Sequence, residues 1–167
     1  MNVIIEGSEG VGKSTLIEKF RYDKDITCDI LRMHVNGDKT LAGYEQKAKL
    51  YNILSDRSFI SEWVYSRVFN RKSCLTEKWL DWFINYDYGR HTIIVLTCDP
   101  SIAKDRVHKR GIDEEELETL QKINDEYIKL ASLYKKRIHI IDTTNLSAEQ
   151  VYEKAKDIII TEQIGGK

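Results

Sequence analysis

Residues 6–15 read EGSEGVGKST, and Gly7, Gly12, Lys13 and Ser14 fall into the spacing G-x-x-x-x-G-K-[ST]. That spacing builds a loop whose backbone N–H groups wrap a polyphosphate, with glycine where a Cβ would collide with the anion. The lysine reaches the terminal phosphates, and the hydroxyl after it ligates Mg²⁺. Gly10, Val11 and Thr15 complete the cradle, and the positive end of the following helix faces the same anion. The implied chemistry is nucleotide binding.

Such a loop works between a strand and a helix. NVII (2–5) reads as a short buried strand, and STLIEKF (14–20) as helical turns with Leu16, Ile17 and Phe20 on one face. Farther along, DILRMHV (29–35), KLYNILS (49–55), HTIIVLTC (91–98) and RIHIID (137–142) are expected strands. Between them apolar residues recur at helical spacing. Phe59, Ile60, Trp63, Val64 and Val68 form one such set; Trp79, Trp82, Phe83 and Tyr86 form another. Leu117, Leu120, Ile123, Tyr127, Leu130 and Tyr134 mark a long helix over 113–134. Ala148, Val151, Ala155, Ile158 and Ile159 share the last face, with Ser147 placed to cap it.

Strands alternating with helices predict an α/β fold, a five-stranded parallel sheet with right-handed crossovers and helices on both faces. Ligands of such sheets sit beyond the C-terminal strand ends. Glu6 and the glycine loop, Asp56 with Arg57, Asp99, and Thr143 to Asn145 are therefore expected along one rim.

The 167 residues suit a single domain spanning 1–167. A net charge of −1 offers no broad electrostatic footprint for DNA or RNA. Cys28, Cys74 and Cys98 are far apart with no C-x-x-C, which points to a reducing compartment rather than disulfides or zinc. No signal peptide or bilayer-spanning apolar run is visible. The expectation is a cytoplasmic protein with small-molecule partners, binding neither nucleic acid nor membrane. The short chain and its Lys-, Ile- and Tyr-rich composition also suit a viral protein acting in a host cytoplasm.

Two polar clusters extend the chemistry. In LSDRSF, an acid just past a strand can hold Mg²⁺ through water, and the next arginine can fork two phosphate oxygens. The simpler alternative is that Asp56 caps the next helix and Arg57 solvates it. Arg106, Lys109 and Arg110 precede Gly111 and an acidic stretch. They read as a lid over roughly residues 106–113, whose cations close on a moving phosphoryl group. The plainer alternative is the cation-favouring end of a helix.

On these residues the chain resembles the thymidylate kinase branch of P-loop nucleoside and nucleoside-monophosphate kinases, over nearly its whole length. IEGSEGVGKST is similar to that family's opening strand and loop, DRSFISEWVY to its D-R-x-x-x-S-x-x-A-Y segment, and RVHKRG to its lid. DTTN resembles the segment packed against the donor adenine, which assigns Thr144 and Asn145 to ATP. The resemblance implies the three-layer P-loop NTPase fold and Mg²⁺-dependent transfer of the ATP γ-phosphoryl to a nucleoside monophosphate such as dTMP. It assigns Glu9 to the acceptor's sugar hydroxyl, Asp56 with Ser14 to Mg²⁺, Arg57 to the acceptor phosphate and Tyr65 to the acceptor sugar. The family carries a catalytic arginine in the loop or the lid. Ser8 to Val11 contain none, so Lys13, Arg106 and Arg110 are the expected catalytic cations.

The departures concern the base. The Glu-Pro-Gly-Gly stretch usual after strand two is replaced by MHVNGDK. Glu62 stands where a small or amide residue near the base is common, and a carboxylate accepts a hydrogen bond without donating one. A deoxynucleoside kinase is the nearest alternative, and its hydroxyl acceptor benefits from a general base. Met33 to Asn36, at the expected end of strand two, offer no carboxylate for that task, but Asp56 could serve. A P-loop switch or binding module is the alternative of a different class. The aromatic helix containing Trp63 could contribute to a homodimer contact as readily as to the core.

Overall fold

The computed structural model describes residues 2–26, 28–32, 40–85, 91–111 and 116–165. Strands β1 (Asn2–Glu6), β2 (Asp29–Arg32), β3 (Ile53–Asp56), β4 (His91–Thr97) and β5 (Ile138–Asp142) form one sheet in the order β2-β3-β1-β4-β5. Every pairing is parallel. The helices are α1 (Lys13–Arg21), α2 (Leu41–Ala48), α3 (Phe59–Val68), α4 (Glu77–Asn85), α5 (Pro100–His108), α6 (Leu117–Leu133) and α7 (Ala148–Gly165).

Central strands without a polar face require cover on both sides. Successive residues of β1 and β4 alternate accordingly. Val3, Ile5, Ile94 and Leu96 pack with Leu16, Ile17 and Phe20 of α1 and with Val151, Ala155 and Ile159 of α7. Ile4, Ile93 and Val95 face the opposite core, with Ile60 and Val64 of α3, Phe83 of α4, and Ile123 and Leu130 of α6. The sheet, the two faces and most helical stripes match the sequence expectation.

The exceptions have local causes. The third strand begins at Ile53 rather than residue 49, because Asn52 turns through a positive φ of 59°. Asn2 secures that turn across the sheet: its amide donates to Leu50 O at 2.8 Å, and its oxygen accepts from Ile53 N at 3.2 Å. Leu50 and Tyr51, read as strand, are exposed. Helix α2 was not anticipated; it is eight residues long with Gly43 inside it, and Thr40 caps it by accepting from Gly43 N. Strand two ends at Arg32 among the described residues, and the expected extension over 33–35 lies outside them. Tyr86, residues 113–115 and the lid beyond Gly111 also lie outside. Leu117, assigned to the buried stripe of α6, is exposed in its first turn. At α7, Ser147 accepts from Gln150 N at 3.2 Å while Gln150 Oε1 accepts from Ser147 N, a reciprocal cap. No helix among the described residues is long and apolar enough to cross a membrane.

Candidate active site

The loop after β1 lies against the backbones of β4 and α5. A Cβ on Gly7 (φ 135°) would stand 2.3 Å from Leu96 O, and one on Gly10 (φ 72°) would stand 2.2 Å from Ala103 O. Backbone cannot yield to such contacts, so those two glycines fix the loop's seat. Gly12 differs: φ is 101°, and nothing lies within 4 Å of where its Cβ would be. It opens α1 with no side-chain cap, leaving the first helical N–H groups to an anion. Ser14 and Thr15 are exposed on that first turn.

Lys13 is buried and donates through Nζ to Gly7 O at 2.9 Å and to Ser8 O. Burial lowers its pKa to about 7; Arg57 lowers it further, while Asp56, Glu6 and Glu9 oppose the shift. A bound polyphosphate adds negative charge and reverses the desolvation penalty, so its pKa must rise on binding. At pH 8, nucleotide binding is therefore expected to take up a substantial fraction of a proton per site, falling towards zero below about pH 6. Titration calorimetry in buffers of differing ionisation enthalpy measures this. The uptake should vanish in Lys13→Met, and its absence from the wild-type protein would refute the linkage.

Asp56 ends β3 and Arg57 follows it. Ser58, not Asp56, caps α3, accepting from Ile60 N at 3.1 Å, which removes the helix-cap reading of Asp56. Arg57 sits at φ 69°, a left-handed conformation unusual for a long side chain. Its N–H donates to Ile5 O at 3.0 Å, holding the strained turn against β1. Its guanidinium lies 5.1 Å from the centroid of the Tyr65 ring and donates to Ser61 Oγ at 3.3 Å.

Glu62 lies one turn into α3, 5% exposed, in a two-pronged pair with Arg71 at 2.7 and 2.8 Å. Any ligand contact it makes is shared with that guanidinium. Glu9 is half-buried in the glycine loop.

On the other side of the loop, a cleft of about 190 Å³ is lined by Gly12, Thr15, Arg106, Arg110, Thr143 and Leu146, among others. Arg106 donates to Thr143 O at 3.0 Å and Thr143 Oγ1 at 3.2 Å, with a longer contact to Gly10 O at 3.4 Å. Arg110 is exposed in the turn after α5, just before Gly111 at φ 67°. Thr144 does not line the cleft; its hydroxyl bonds Asp142 and accepts from Asp99 N. Neighbouring Thr143 does, 2% exposed, with Oγ1 3.0 Å from both Val11 O and Thr97 O.

Sequence reasoning set Glu6 and Thr143 on the rim and Ser61 at the serine of the D-R-x-x-x-S segment without giving any of them a role, and it passed over Ser58. Glu6 had a visible signal, an acid ending an apolar strand. Tyr127 had none, because it fits the core stripe of α6.

Among the described residues no three His, Cys, Asp or Glu side chains cluster to hold a metal. The donors expected from the sequence are the Ser14 hydroxyl, exposed on the first turn of α1, and the Asp56 carboxylate at the end of β3. That sparse set suits Mg²⁺, which keeps several waters and is completed by substrate phosphates.

A family model described as thymidylate kinase matches residues 33–155. An uncharacterized prophage-derived protein of Bacillus subtilis, YorR, is 26% identical over 166 residues, covering 94% of this chain and 96% of that protein. The structure of YorR from Bacillus subtilis, in complex with phosphorylated GDP, superposes with a TM-score of 0.80 at 24% identity, covering 98% of each chain. Deoxyadenosine kinase from M. mycoides with bound dATP gives a TM-score of 0.67 at 18% identity, covering 95% of this chain and 99% of the other. At these identities the structural likenesses speak for the fold.

Proposed function

Because the chain belongs to the thymidylate kinase family and is a phosphotransferase of the P-loop fold, we propose that it moves the ATP γ-phosphoryl to the 5′-phosphate of a deoxynucleoside monophosphate. The whole chain acts as one kinase unit, with a lid over roughly residues 106–113. The observation that carries this is Arg57, held in a strained turn beside the phosphate loop with its guanidinium aligned by Tyr65 and Ser61. Strain of that kind persists where the surroundings enforce it and clusters at ligand clamps. An already ionised acceptor phosphate needs a two-pronged cation and no general base.

The donor polyphosphate lies along Gly7 to Thr15, with its base in the cleft beside Arg106, Thr143 and Leu146, near Thr144 and Asn145. Ser14 and Asp56 would hold Mg²⁺, which would supply positive charge to neutralise the phosphate oxygens. Lys13 meets the transferred group, Arg57 grips the acceptor phosphate, and Glu9 with Tyr65 faces the acceptor sugar. Glu62, paired with Arg71, borders the base.

The base itself is the open choice. dTMP follows the family name, while the guanine nucleotide on YorR and the dATP and dCTP on the M. mycoides enzyme add purines and a second pyrimidine. Initial rates on a panel of the four deoxynucleoside monophosphates and their nucleosides decide the acceptor. Faster turnover of a nucleoside than of its monophosphate would replace this reading with a deoxynucleoside kinase.

The two lid-side arginines are expected to separate. Arg110→Ala removes an exposed cation and should lower kcat by about tenfold or more while Tm stays unchanged. Arg106→Ala also leaves the buried Thr143 carbonyl with only the long bond from Leu146 N at 3.4 Å, so it should lower kcat and cost about 1–3 kcal/mol of stability. Loss of ATP affinity alone in both variants would make the basic turn a donor-binding patch rather than a catalytic lid.

A further inference from the structure

The Glu6 side chain is fully buried at the end of β1, at the root of the phosphate loop, and its oxygens are all engaged. Oε1 accepts from Ser58 Oγ at 2.7 Å; Oε2 accepts from Ser61 Oγ and from Tyr127 Oη at 2.9 Å. Ser61 Oγ in turn accepts from Arg57 Nη1 at 3.3 Å, and Ser61 and Tyr127 are 3.1 Å apart. Burial pushes the Glu6 carboxyl pKa up, while the hydroxyls of Ser61, Ser58 and Tyr127 and the Arg57 charge oppose that shift by favouring the ionised form, which only accepts. The buried charge is compensated by these hydroxyls together with Arg57, whose backbone is tied to Ile5, the residue before Glu6. None of the nucleotide contacts proposed above uses Glu6.

We propose that Glu6 is a positioning residue for the acceptor: it orients the Ser61 hydroxyl as an acceptor towards Arg57, so the guanidinium is aimed before the monophosphate arrives. Ser61 has a single proton and gives it to Glu6, which leaves its lone pairs for Arg57. Tyr127 anchors the carboxylate from α6, and Ser58 anchors it from the start of α3. The phosphate loop is seated independently, by Gly7 and Gly10 against backbone and by Thr143 against Val11 O. Glu6 therefore serves the acceptor side more than the donor side. This inference rests on Arg57 gripping the acceptor phosphate.

Glu6→Gln keeps the shape but turns one oxygen into a donor facing hydroxyls that must then reverse. The KM for the preferred monophosphate should rise about tenfold, and that for ATP by less than about threefold; in an Arg57→Ala background the same change should alter the acceptor KM by less than about twofold. Full additivity of the two changes, or equal increases for both substrates, would overturn the proposal by reducing Glu6 to a structural role. If Glu6→Gln fails to fold, Tyr127→Phe replaces it; it removes one donor and should reproduce the acceptor-specific, non-additive pattern in milder form. An Arg57→Ala enzyme with unchanged acceptor KM sinks the acceptor assignment itself. Normal Arg57→Ala losses without coupling to Glu6 sink only the positioning role.

Discussion

Lys13→Ala is expected to reduce phosphoryl transfer by about 10²–10³, equivalent to about 3–4 kcal/mol, the usual loss for one donor aimed at transition-state charge. The fold should survive. Lys13 bonds two loop carbonyls, but Gly7 and Gly10 are seated by backbone packing and Val11 O is held by Thr143. Burial already lowers the lysine's pKa to about 7, so removing the side chain also relieves a desolvation penalty. Tm should therefore change little while kcat collapses. Turnover near the wild-type rate in a folded Lys13→Ala protein would end the kinase mechanism proposed here.

Arg57→Ala should raise the KM for a deoxynucleoside monophosphate by about one to two orders of magnitude, or about 1.5–3 kcal/mol for a charge-assisted contact. Arg57→Lys should recover part of this, since an ammonium cannot make the planar two-pronged contact. The backbone supplies a sharper variant. Arg57 stands at φ 69°, where a side chain costs about 1–2 kcal/mol relative to glycine. Arg57→Gly should thus be more stable than Arg57→Ala, which keeps the strained φ, and yet bind the monophosphate as poorly. Kinetics together with thermal unfolding test both halves. Intact acceptor binding in the glycine variant would show that the guanidinium does not grip the phosphate. Wild-type preference for the nucleoside, with Asp56→Asn abolishing turnover, would instead make Asp56 a general base.

The parts of this site that could be read in advance are contiguous. The glycine loop, its strand and its helix lie within residues 2–21, so spacing and periodicity declare them together. Asp56 and Arg57 were legible because a parallel sheet sends every strand end to one rim. Helix α2 was not legible: eight residues with an internal glycine carry little periodic signal. The start of β3 was misread because the turn at Asn52 is secured by Asn2, brought alongside through sheet pairing.

By itself the sequence determined the alternation of elements, the two covered faces of the sheet and the phosphate-binding chemistry, because these follow from local spacing and burial period. Only the tertiary structure decided how the charges are arranged. Glu6 meets Tyr127 across 121 positions of chain, and Arg106 meets Thr143 across 37. Such polar pairs leave no periodic trace. They form because the strand order places β1 between β3 and β4, so helices distant in sequence close over the same strand ends. A buried carboxylate is tolerable only where that topology delivers its donors.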